Sequence, residues 1–367
     1  MQHRVQAQRF AVPSDVTSKT EAHSESAELF ADELTSSLRD DSLHLILLPT
    51  EKCNFRCTYC YEDFSIGRMG PEVVEGVKRL IDRRIDGLRS LSISWFGGEP
   101  LLALPVIEDI STHIIERAAA MPDLTYSADM TTNAYLLDHS TAEHLSRLGI
   151  SEHQVSLDGP QPLHDRTRVQ ANGAGSFHRI WENLLAIRDS DLRVGVVLRV
   201  HVTPANVHSM PEFLSEIREV FLRDSRFSVL LKPVERLGGP RDGEMEVISH
   251  DSWPAILENL ERIVSPEGSG PSLHPTPEVC YASRPNSLMI RANGVVGKCT
   301  VALTDPRNAV GKIRPDGTVE IDHHRFRTWL RGWESRDWDV LSCPADGLPG
   351  TGSALLNIGP TRLVSDT

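Results

Sequence analysis

The sequence predicts an α/β protein: a partial (β/α)6 barrel of the TIM type carrying a small C-terminal β-hairpin domain. Two observations lead there. From Leu43 to about residue 236, short strand-like apolar runs alternate with segments of helical periodicity, the signature of parallel strands joined by helices. A second, different pattern then follows, with Ala292-Asn293-Gly294 set between two apolar runs as a hairpin signal.

The totals bound the reading. A chain of 367 residues suffices for about two domains with sizeable cores. Its 40% hydrophobic and 24% charged residues are ordinary for a globular protein. With 51 acidic and 38 basic residues the net charge is −13, which argues against a nucleic-acid partner, since that grip needs a basic surface. No apolar run approaches a membrane span, and the first residues lack the apolar core of a signal peptide. A cytoplasmic protein with reduced thiols is expected.

Four segments are expected in order: a polar leader over 1–42, the barrel over 43–236, a bridge over 237–278 and the hairpin domain over 279–367. In the leader, Leu29, Phe30, Leu34 and Leu38 recur at helical spacing and predict a helix over Ala27–Leu38. Barrel strands are predicted near 43–49, 91–96, 124–131, 152–157, 194–203 and 226–233. The helix after the first strand opens at Pro71, where a missing N–H costs nothing. Others are expected over Pro105–Ala119, Ser140–Leu148 with a serine cap, Ser176–Arg188 and Pro211–Leu222. Six repeats make an incomplete ring. Polar stripes support an open lumen: Ser127, Asp129, Thr131 and Asn133 share one face, as do Gln154, Ser156 and Asp158, and Arg199 with His201. Packed barrels fill the lumen with branched apolar residues, so polar stripes imply a ligand cavity. In the bridge, Gly238-Gly239-Pro240 breaks structure, Trp253–Ile263 reads as a helix and Ser265–Pro277 as a loop.

The chemistry centres on Cys53-Asn54-Phe55-Arg56-Cys57-Thr58-Tyr59-Cys60, directly after the first strand. Soft thiolates packed this closely suit zinc or iron–sulfur clusters. A structural zinc would want a fourth Cys or His nearby, and Tyr61, Glu62 and Asp63 follow instead. A disulfide leaves one thiol over. Three thiolates on a four-iron cluster leave one iron open for chemistry. Further motifs fall where strands end: Gly97-Gly98-Glu99-Pro100, Thr132-Asn133-Ala134 and Ser156-Leu157-Asp158-Gly159. Singly, the glycine pairs are ordinary turn formers. Together they mark the strand ends where barrel enzymes place their chemistry.

The cysteine spacing, with Tyr59 before the last thiol, resembles the radical S-adenosylmethionine (SAM) superfamily. That resemblance implies a [4Fe–4S] cluster on Cys53, Cys57 and Cys60 whose open iron chelates SAM. An electron from a donor such as flavodoxin or ferredoxin would then release a 5′-deoxyadenosyl radical that abstracts hydrogen from a substrate. By the same likeness Tyr59, Gly97, Gly98, Glu99, Asn133, Ser156, Asp158 and Arg199 would bind SAM, with Glu99 holding its ammonium and Arg199 its carboxylate. Ala134 departs from the family's Thr-Asn-Gly element.

Cys280, Gly294 and Cys299, spaced C-x13-G-x4-C, resemble the opening of the SPASM/twitch domain, which carries auxiliary clusters in the peptide-modifying branch of the superfamily. A C-x2-C pair should follow, but this chain offers only Cys343-Pro344-Ala345-Asp346 and no later cysteine. One auxiliary cluster on Cys280, Cys299 and Cys343, with Asp346 or an open site for the fourth position, is therefore the most the segment can hold. The alternative is a hairpin that only shapes the substrate pocket. The implied function is hydrogen abstraction from a peptide or protein side chain, as in an anaerobic sulfatase maturase or peptide maturase. The alternative is a radical SAM dehydrogenase or other enzyme acting on a small metabolite such as a sugar or aminocyclitol. A non-catalytic electron-transfer or sensor protein would leave Glu99 and Ser156 without a task.

Overall fold

The computed structural model describes residues 31–265 and 278–348. Of the expected leader helix Ala27–Leu38, residues 31–37 are helical and 27–30 lie outside the described residues, as does the expected loop Ser265–Pro277 beyond Ser265.

Six parallel strands follow the predicted alternation: β1 (Ser42–Leu47), β2 (Ser90–Trp95), β3 (Thr125–Thr132), β4 (Ile150–Leu157), β5 (Gly195–Val202) and β6 (Phe227–Pro233). Between them run α1 (Pro71–Arg84), α2 (Leu104–Ala118), α3 (His139–Arg147), α4 (Gln161–Thr167), α5 (Phe177–Arg188) and α6 (Met210–Val220), with α7 (Trp253–Val264) in the bridge. The period-two pattern is clearest in β2. Leu91, Ile93 and Trp95 are fully buried, while the alternate residues Ser92 and Ser94 reach across to β3, bonding Ser127 and Asp129. The short α4 carried no strong periodic signal. The cap of α3 is Asp138, which accepts from the Thr141 amide at 2.9 Å, and not Ser140, whose hydroxyl bonds Asp138 instead. A carboxylate one turn ahead outcompetes a hydroxyl already inside the helix.

The C-terminal hairpin is built from β7 (Ser287–Ile290) and β8 (Val295–Gly297), extended by β9 (Gly311–Ile313) and β10 (Val319–Ile321). Its first strand joins the barrel sheet: β7 pairs in parallel with β1, from His44 opposite Ser287 to Leu47 opposite Ile290. One ten-stranded sheet results, in the order β10-β9-β8-β7-β1-β2-β3-β4-β5-β6, with β6 and β10 at its edges. Three short helices close the described chain: α8 (His323–Trp329), α9 (Gly332–Ser335) and α10 (Trp338–Ser342). Trp329, wholly buried in the core, donates its indole N–H to the Arg307 carbonyl at 3.1 Å.

Candidate active site

The loop after β1 is laced to the segment following α4. The Arg56 amide donates to the Val169 carbonyl at 2.7 Å, the Thr58 amide to Thr167 at 2.9 Å, and Ala171 donates back to Asn54 at 2.7 Å. Phe55, 1% exposed, anchors it in the core. This fixes Cys53, Cys57 and Cys60 around one cavity, which they line together. Burial pushes the Cys53 and Cys60 thiols up to about 12 and raises Cys57 as well. Left alone these thiols stay protonated; a bound metal centre is what would hold them as thiolates.

The glycine edge after β2 is shaped by the same loop. Gly97 has φ +119°, and a Cβ on it would lie 2.3 Å from the Thr50 carbonyl oxygen. A Cβ on Gly98 would lie 2.5 Å from that of Lys52. Only glycine lets β2's end rest on the chain entering the cysteines. Both glycines line the cavity. Glu99 does not. It is 0% exposed, and its carboxylate accepts from the Leu101 amide at 3.1 Å, the Thr132 hydroxyl at 2.8 Å and the Asn133 amide at 2.8 Å. Burial raises its pKa against those bonds. The Glu99 carboxylate thus joins the ends of β2 and β3, and the glycine backbone faces the cavity.

Asn133 reaches the cysteine loop, donating to Asn54 Oδ1 at 2.8 Å. Ala134, wholly buried, holds φ +58°, the left-handed conformation that suits the glycine of the family pattern. Ser156 and Arg199 line the cavity from β4 and β5. The Arg199 Nε is buried without a hydrogen-bond partner, a donor suited to a carboxylate.

Asp158 turns away from the cavity and anchors Tyr59. Its Oδ1 accepts from the Tyr59 hydroxyl at 2.9 Å and from His201 Nδ1 at 3.1 Å, and its Oδ2 from Thr167 at 2.6 Å. Arg168 donates to the same Tyr59 hydroxyl at 2.8 Å. Burial would raise the Asp158 carboxyl, yet the His201 bond and the Arg168 charge hold it well below the usual carboxylate range. This buried network positions the cysteine loop, and Tyr59 still lines the cavity beside the thiols.

The C-terminal thiols come from three separate places: Cys280 before β7, Cys299 after β8 and Cys343 after α10. Burial pushes Cys280 up to about 12, and charge on Cys299 or Cys343 would add to that. Burial raises Cys299, with Cys343 adding. The three therefore lie within electrostatic reach of one another. Lys298 is 0% exposed and donates to the Arg284 and Ser287 carbonyls at 2.6 Å each; burial lowers its amine to about 7. Asp346 sits beside Arg331, which donates to its carbonyl. Thr300 and Val301, next after Cys299, form a wall of the cavity lined by the first three cysteines.

Three side chains were not predicted from sequence. Glu62 lines the cavity with Oε2 buried and unpartnered, and burial, then the Glu51 charge, push it up to about 8 against Arg291. Its place two residues after Cys60 was the available signal. Glu51 and Arg291 form a buried ion pair across 240 residues, which no local pattern announces.

The donor set fits an iron–sulfur cluster with a carboxylate-bearing ligand: three soft thiols, a glycine edge and an unpartnered guanidinium on one cavity. Similarity to known proteins agrees. A family model for the radical SAM superfamily matches residues 47–217. A GTP 3′,8-cyclase from Cyanothece sp. is 26% identical, over 76% of this chain and 88% of its own length. A cysteine-type anaerobic sulfatase-maturating enzyme from Clostridium novyi is 22% identical, over 60% and 59%. The solved structure of anSMEcpe with bound AdoMet and a Kp18Cys peptide superposes with TM-score 0.60 at 19% identity, covering 79% of this chain and 84% of that one. The cysteine loop and these matches place a radical SAM superfamily domain over residues 47–217, and the enzymes of that superfamily use a [4Fe–4S] cluster and SAM.

Proposed function

We propose that the enzyme abstracts hydrogen from a side chain of a peptide or protein. The cluster would be held by Cys53, Cys57 and Cys60, and would supply the electron that cleaves SAM to a 5′-deoxyadenosyl radical. Gly97 and Gly98 would offer backbone to the SAM ammonium, and Arg199 its guanidinium to the SAM carboxylate, with Ser156 beside it. Tyr59 is held from behind by Asp158 and Arg168, so the loop keeps its shape while SAM comes and goes.

The observation that carries the peptide reading is what remains of the cavity wall. Phe64, Phe96, Leu237 and Val301 are apolar, and the basic residues on the wall are Arg168 and Arg199. Arg168 gives one donor to the Tyr59 hydroxyl, and Arg199 is assigned to SAM. Among the described wall residues, no lysine and no further arginine is left to grip a triphosphate such as the Cyanothece enzyme's GTP. The segment after β6, Glu235 to Leu237, donates no backbone–backbone hydrogen bond among the described residues, and two of its residues line the cavity. Free amides beside an apolar pocket suit an extended peptide with one inserted side chain. The sulfatase maturase likeness and the peptide bound to anSMEcpe point the same way. Cys280, Cys299 and Cys343 are proposed to hold one auxiliary cluster, with Asp346 or an open iron position completing it.

A deuterium-transfer assay tests the substrate class. Cell extract grown in deuterated water is split into peptide and small-metabolite fractions and supplied with SAM and reductant to the reconstituted enzyme. Deuterium should enter 5′-deoxyadenosine from the peptide fraction. Transfer from the metabolite fraction alone would move the enzyme to the second reading.

A further inference from the structure

One guanidinium joins the two cysteine-bearing loops. Arg291 directly follows β7, the strand that pairs with β1. Its Nε and NH2 donate to the two carboxylate oxygens of Glu51 at 3.1 and 2.5 Å. Its NH1 donates to the Leu303 carbonyl at 2.8 Å. Glu51 stands two residues before Cys53, and Leu303 four after Cys299. The side chains of Glu51 and Arg291 are 3% and 15% exposed. A planar fork can hold a carboxylate with two donors and still spend a third elsewhere, which lysine cannot do in a fixed geometry.

We propose that Arg291 is a positioning residue for radical generation: it fixes the loop carrying Cys53 relative to the loop that walls the substrate cavity, and its pairing with Glu51 keeps a lone charge away from the cluster. The inference rests on Cys53, Cys57 and Cys60 holding that cluster, and not on the identity of the substrate. Its electrostatic part has a definite sign. Cluster potentials follow the net charge around them, and a broken buried pair leaves the remaining charge uncompensated. Glu51→Gln leaves a cation near the cluster and makes reduction easier. Arg291→Gln leaves an anion and makes it harder. A purely structural role would move both variants the same way.

Two measurements test it. In reconstituted holoenzyme, the potential of the SAM-responsive cluster is followed by its paramagnetic resonance signal during reductive titration. Glu51→Gln should shift it upward, Arg291→Gln downward, and the double variant should return toward wild type. Shifts of one sign, or none, would overturn the electrostatic part. In protein without cluster, amide hydrogen exchange is measured over residues 49–60 and 299–305. Arg291→Gln should speed exchange in both loops, and Glu51→Gln, nearly the same shape as the native side chain, should speed it at 299–305. Arg291→Lys keeps the charge without the fork, so it should loosen 299–305 while leaving the potential near wild type. Unchanged exchange at 299–305 in all three variants would sink the tether, whatever the cluster does.

Discussion

The two cysteine triads are built in opposite ways. Cys53, Cys57 and Cys60 share one loop, pinned by backbone bonds to residues 167–171, and all three open on the cavity. Cys280, Cys299 and Cys343 arrive from three elements, none of them lines that cavity, and the Cys280 amide is itself held by the Leu341 carbonyl at 3.0 Å. A site made by one loop survives change elsewhere, whereas a site made by three elements exists only when the tertiary structure does. The first is arranged for turnover, with room beside it for a ligand. The second stands apart from that cavity, with buried Lys298 alongside, and suits a fixed centre or a rigid wall.

Removing each triad should break the comparison most sharply. Replacing Cys53, Cys57 and Cys60 by Ala should abolish release of 5′-deoxyadenosine from SAM and dithionite. Replacing Cys280, Cys299 and Cys343 should instead take the protein from about eight irons to about four, from four-iron stoichiometry, with the SAM-responsive signal retained. Intact protein that never binds more than four would make the C-terminal triad structural. If Asp346 is a ligand, Asp346→Ala should cost the second cluster alone.

Gly98→Ala tests how tightly the first loop is held from outside. The new Cβ would lie 2.5 Å from the Lys52 carbonyl oxygen. Overpacking of this kind costs about 1–3 kcal/mol, and here the strain falls on the chain leading into Cys53. Iron should be lost from the first site and kept at the second. Equal occupancy of both in the variant would show that the cysteine loop tolerates the change.

Glu62 gives the cavity a pH signature. Its folded pKa of about 8 lies above the ordinary 4.5, so its contribution to stability is full below pH 4.5 and lost as pH rises through about 8. Over that interval the loss amounts to a few kcal/mol, on the order of 1.4 kcal/mol for each pH unit. In cluster-free protein, Glu62→Gln escapes this loss. Urea unfolding should show the variant gaining on wild type between pH 5 and pH 9, and a pH-independent difference would reject the assignment.

The smallest effect is expected at Ala134. Relief of its left-handed backbone is worth about 1 kcal/mol. Against it stand a lost buried methyl, about 0.8 kcal/mol, and the greater freedom of glycine in the unfolded chain, about 0.4–1 kcal/mol. Ala134→Gly should therefore change stability by no more than about 1 kcal/mol in thermal or urea unfolding. A larger loss would mean that the Ala134 methyl does more packing than its size suggests.

What the sequence determined by itself was whatever is local. The six strands, the helices between them and the first cysteine loop lie in continuous stretches, where period two, helical spacing and thiol spacing can be read without knowing the fold. The same holds for the Gly97-Gly98 pair, because a glycine pair after a strand is legible as a turn, although what presses on Gly98 is the Lys52 carbonyl of another stretch. Where side chains aim was decided by tertiary structure alone. Glu99 and Asp158 sit in motifs at strand ends, yet their carboxylates turn to β3 and to Tyr59, since buried amides, hydroxyls and an imidazole reach them first. The three C-terminal thiols come within electrostatic reach of one another because β7 pairs with β1 and three short helices fold back, choices set by packing across the whole sheet. Glu51 finds Arg291 only once that sheet has formed, for an ion pair spanning 240 residues is fixed by the segments that leave two neighbouring strands, β1 and β7, and leaves no trace in either stretch of sequence.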